Sequence, residues 1–153
     1  MASDNILLEV KKKNLMREQK EDNETDVKET KTGSGFKDMV SILLHSQTQV
    51  HIFHLQTKSY AEHKALQKYY EGIDGIVDGL IESYQGKYDI ITQYNSIKNE
   101  DYKSVEQVIK YFKSLDAMID KNRKEVKESF IQNQIDTVQE LINSTVYKLR
   151  FLK

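Results

Sequence analysis

The chain has 153 residues, a formal net charge of −1, and no proline, tryptophan or cysteine. The lack of cysteine excludes disulfides, thiolate metal sites and thiol nucleophiles, and the balanced charge gives no global pull toward nucleic acid or an acidic surface. No apolar run reaches the ~20 residues of a membrane span and no signal peptide is legible, so one soluble, cytoplasmic domain without membrane contact is expected.

Residues 1–33 are crowded with charge and nearly free of large apolar groups after Met16. Such a stretch buries too little surface to offset the entropy of ordering it, and it reads as a disordered arm. Ile6, Leu7, Val10 and Leu15 form one short amphipathic segment suited to docking on another protein. Lys11, Lys12 and Lys13 are answered by Glu18, Glu21, Asp22, Glu24, Asp26 and Glu29, so strong nucleic-acid binding is not expected. Gly33-Ser34-Gly35 reads as the hinge into a domain over 34–153.

Apolar periodicity predicts a first helix from Phe36 to Thr57, with Phe36, Met39, Val40, Leu43, Gln47, Val50, His51 and His54 facing inward and His45 facing solvent. Ser59 and Glu62 fit a capping box that opens a second helix, and Gly86 fits its end. Residues 87–103 form a connection longer than a tight turn needs, which suits a crossover that leaves the second and third helices parallel. The third helix is predicted from about Ser104, with Val105, Val108, Phe112, Leu115, Ile119, Val126 and Phe130 on one face. A break at Gln132–Gln134 and a fourth helix with Ile135, Val138, Leu141, Ile142, Val146 and Leu149 complete the pattern. No period-two alternation points to strands. An all-α four-helix bundle with a long B–C crossover follows, an up-down bundle with a loose loop being the alternative.

The chemistry-bearing stretch is 51–86. It holds His51, His54 and His63, then Asp74, Asp78 and Glu82 at four-residue steps along one edge of the second helix. Neutral imidazole together with carboxylate suits iron, manganese or zinc. The same residues also read as polar rim, with the histidines hydrogen-bonded at a helix end. At 1.5 Å per residue His63 and Glu82 lie nearly 30 Å apart on one helix, so an ion held by both requires two antiparallel copies. Gly75 and Gly79 lie on the outer face, where another backbone can approach. No Gly-rich phosphate loop or nucleophile elbow is present.

His51, His63 twelve positions on, then Gln67, Asp78 and Glu82 resemble the spacing of the mini-ferritins, the DNA-protecting (Dps) branch of the ferritin-like superfamily. FHLQTKSYAEHKAL and STVYKLRFLK are similar to an uncharacterised ferritin-like family of phages and large viruses, in which the first histidine corresponds to His54. The resemblance covers about residues 36–153. It implies a ferritin-like bundle in a homo-oligomer, with His51, His54, His63, Asp78 and Glu82 as metal ligands shared between subunits. Iron binding, with ferroxidase or storage activity, is what such a site implies. Gln67 departs from the pattern, standing where an acid is expected, and the Glu-x-x-His pairs of larger ferritins are absent. The alternative is a non-enzymatic structural or packaged virion component whose histidines are rim.

Overall fold

A computed structural model of the chain describes residues 34–152, and the expectations for 1–33 lie outside the described residues. Four α-helices and one 3₁₀ turn make up the regular structure of the described residues, with no strand among them. They are α1 (Ser34–Gln56), α2 (Tyr60–Lys87), α3 (Val105–Asn122), the 3₁₀ turn Arg123–Glu125 and α4 (Ser129–Phe151). No described helix is long and apolar enough to cross a membrane.

Local signals explain most helix starts. The Ser59 hydroxyl accepts the amide of Glu62, and that of Ser104 accepts the amide of Gln107, each satisfying a donor that the first turn leaves orphaned. The capping box closes through a relay. Glu62 accepts from the hydroxyls of Thr57 and Tyr102, while the Ser59 amide donates to the Thr57 hydroxyl. Ser34 and Gly35 belong to the first turn of α1, so the expected hinge is helical there. The Phe36 amide donates to Glu125 at 3.1 Å, which ties that turn to the end of the α3 segment.

Several expectations need correction. The break between the last two helices lies at 123–128, not at Gln132–Gln134. Gln132 instead fastens the turn from inside α4, its Nε2 donating to the carbonyls of Arg123 and Val126. Val126 is buried as expected, but Phe130 falls beyond the break and is 51% exposed. In α1 the inward face passes through Ser46, Gln49, Val50, Phe53 and His54, leaving Gln47 half-buried and His51 exposed. The polar pair is tolerated because each finds partners. Ser46 bonds the Leu43 carbonyl and the Tyr69 hydroxyl, and Gln49 bonds both backbone groups of Glu100.

Residues 88–104 run alongside α1. Asn95 meets Ser41 and Asp38 near the start of α1, Asn99 meets His45, Glu100 meets Gln49, and Asp101 and Tyr102 meet Gln56 at its end. His45 is therefore half-buried under the connection rather than solvent-facing. The connection carries the chain back to the end where α2 began, so α2 and α3 point the same way. Helix α1 packs on α2 and α3, and α4 packs on the same two, while the diagonal pairs touch little. The shared core holds Phe36, Leu43, Phe53, Leu66, Tyr69, Ile73, Phe112, Ile119, Ile135 and Ile142, all essentially sealed from solvent.

Candidate functional site

The three-residue link between α1 and α2 brings His54 and His63 face to face. Their ring centroids are 3.6 Å apart and the planes differ by 25°. His54 Nδ1 lies 2.8 Å from the carbonyl of His63, and His63 Nδ1 lies 3.0 Å from the carbonyl of His54. A carbonyl only accepts, so both Nδ1 atoms carry a proton, and in the neutral rings both Nε2 atoms are lone-pair acceptors. The two rings thus cross-link the corner reciprocally. His54 is only 6% exposed, and His63 is half-buried.

His51 lies one turn back on α1 and is exposed. Its ring stacks on Tyr70 at 4.2 Å and stands 5.7 Å from that of His54. Tyr70 also meets His54 edge-on at 5.1 Å. All three histidines thus gather at one corner. Nothing in the sequence singles Tyr70 out for this contact, because a tyrosine at helical spacing reads as helix packing.

The carboxylates lie elsewhere. Asp74, Asp78 and Glu82 are all exposed on α2. Asp78 is fifteen positions beyond His63, or about 22 Å along the helix. Among the described residues no group of three or more His, Asp or Glu side chains is close enough to hold an ion. Within one chain the five candidates His51, His54, His63, Asp78 and Glu82 do not form a single centre, and as a set they do not fit a metal there. Gln67 sits between Lys64 and Glu71, accepting from the first at 2.6 Å and donating to the second at 2.7 Å. It serves a surface chain of hydrogen bonds.

Around the histidine corner the hydroxyls of Tyr102 and Thr57 converge on Glu62, and burial followed by the Glu62 hydrogen bond pushes the Tyr102 phenol up from its ordinary value. This places a neutral donor on a carboxylate and joins the long connection to the same corner. The signal for it was present only as a tyrosine two residues before the Ser104 cap.

The described residues define an all-α bundle of four helices with a histidine-locked corner and an exposed carboxylate ladder on its second helix. The chain belongs to a family of unknown function (DUF5856), whose model matches residues 54–149 and so begins at the first histidine of the locked pair. No curated protein and no solved structure matches the chain.

Proposed function

We propose that this chain is a ferritin-like bundle acting as a non-catalytic structural component, with the mini-ferritin-like histidines serving to hold its corner. The ferritin-like reading is supported by parallel α2 and α3 joined by a connection that runs the length of α1. The structural reading is carried by the reciprocal His54–His63 cross-link. It commits both Nδ1 atoms to backbone and stacks the rings on each other, while the acidic partners of a metal site stand ~22 Å away. Titration calorimetry of the full chain with ferrous, manganous and zinc ions tests this, with no stoichiometric binding as the expected result. His63→Ala should lower the melting temperature equally with and without each metal.

One observation favours a second reading. Metal-ligating histidines usually donate their other ring N–H to a carbonyl, as His54 and His63 both do. In that reading iron, or manganese or zinc, is held by these rings and by Asp78 and Glu82 of another copy. Stoichiometric binding that disappears in both His63→Ala and Glu82→Ala would establish it and overturn the structural one.

A further inference from the structure

We propose that the outer face of α2 is a self-complementary docking surface for a second copy of this chain, packed antiparallel about the level of Ile73. The face is divided by charge. Its first half presents Lys64 and Lys68, its second half Asp78 and Glu82, and all four are exposed. At about 100° per residue Lys64 and Glu82 project in the same direction, with Lys68 and Asp78 about 40° to either side.

The spacing decides the partner. Lys64 precedes Ile73 by as many residues as Glu82 follows it, and Lys68 and Asp78 are likewise symmetric about Ile73. A twofold axis lying in the interface, perpendicular to α2 and level with Ile73, reverses position along the helix and keeps the side of the face. It therefore brings Lys64 level with Glu82 of the second copy on the centre line of the face, and Lys68 level with Asp78 across that line, and the reverse pairs follow by symmetry. A parallel arrangement sets lysine against lysine and acid against acid. A purely acidic or purely basic partner matches only half of the face. A second copy matches both halves.

Shape agrees with charge. In this register Gly86 lies opposite Tyr60, and Gly75 lies opposite Glu71. A side chain added at Gly75 or Gly86 would meet nothing within 4 Å, so the backbone is open to approach at both. Tyr60 is 78% exposed and has a bare stretch of helix to cover. At the basic end Ala61, Ala65 and Leu152 floor an open groove beside Lys148, an apolar seat under the lysines. Glu71 and Asp74 lie nearest the axis, each within about 6 Å of its own copy along the helix direction, which limits affinity and leaves the end pairs to set direction.

This deepens the structural-component reading by naming what the component assembles with, and it requires no metal. Sedimentation velocity of the full chain tests it. A dimer is expected at low salt and its dissociation at high salt, since the screening length falls from about 30 Å at 0.01 M to about 3 Å at 1 M. The double variants Lys64→Glu/Lys68→Glu and Asp78→Lys/Glu82→Lys should each raise the dimer dissociation constant at least tenfold while keeping wild-type helical circular dichroism. Mixed together, they should restore a heterodimer. A chain that is monomeric at every salt concentration overturns the proposal. So does a dimer indifferent to both variants, a mixture that stays monomeric, or a dimer that a chelator dissolves. Failure here leaves the calorimetric test of metal binding unaffected, so the two readings fall separately.

Discussion

Tyr69 and Tyr111 sit in one aromatic cluster around Phe112, yet their hydroxyls meet different fates. Tyr69 bonds Ser46 at 2.8 Å, whereas the Tyr111 hydroxyl is buried with no hydrogen-bond partner among the described residues. Burial pushes both phenols well above their ordinary value. An unpaired buried hydroxyl costs about 1–3 kcal/mol, whereas a made hydrogen bond contributes about 1 kcal/mol. Tyr111→Phe should therefore hold or raise the melting temperature, and Tyr69→Phe should lower it by the equivalent of about 1 kcal/mol. Urea denaturation of the two variants side by side checks the contrast, and equal losses would contradict it. Neither role was legible in the sequence, where both are simply tyrosines at helical spacing. The histidines were partly legible: their gathering follows from the short link, but the exchange of hydrogen bonds with each other's backbone needs the turn geometry itself.

At the scale of elements, glutamines mark what periodicity hides. Gln49, Gln56 and Gln132 use side-chain amides as substitutes for backbone, pairing with Glu100, Tyr102, and the Arg123 and Val126 carbonyls. A hydrophobic pattern scores such residues as polar and places a break or a surface there. Hence the misplaced break at Gln132–Gln134 and the drift of the α1 stripe onto Gln47. The helix starts at Ser59 and Ser104 were legible because a cap depends only on local sequence. Replacing Gln49 by Leu strips both partners from the backbone of Glu100 and should cost about 1–3 kcal/mol. Amide hydrogen exchange over 95–102 should quicken more than exchange in α4. Uniform quickening would mean that the connection is not separately held by this side chain.

At the scale of the whole molecule, one pH-responsive bond ties two helices together. The Tyr88 hydroxyl donates to Glu128 at 2.5 Å, joining the end of α2 to the start of α4. This bond is the main reason that the Glu128 carboxyl is held below its ordinary range and that the Tyr88 phenol is pushed up to about 12. A lowered carboxyl contributes stability above its ordinary value of 4.5, and the contribution is lost as pH falls through the lowered value. A raised phenol contributes below its ordinary value of 10.0 and loses the contribution as pH rises through about 12. The melting-temperature difference between wild type and Tyr88→Phe should accordingly be flat at neutral pH and shrink toward both extremes. A difference that grows at either extreme would refute the assignment. The four-helix content was legible at this scale because each helix carries its own apolar stripe. The charge symmetry of α2 about Ile73 is written in the sequence, but it carries meaning only on a helix face that packing leaves open.

The path of residues 88–104 along α1 also fixes where the described chain begins and ends. Phe36, in the first turn of α1, stands beside the α3–α4 turn, while Leu152 stands beside Tyr60 at the opposite pole. The 23 residues of α1 separate those poles by about 35 Å. A circular permutant that reconnects the two ends therefore needs a linker of at least about ten extended residues, at roughly 3.5 Å each. Copies fused head to tail through a short linker would instead string out in line, and tension on such a string would load α1 and α4 in shear against α2 and α3 rather than peel them off.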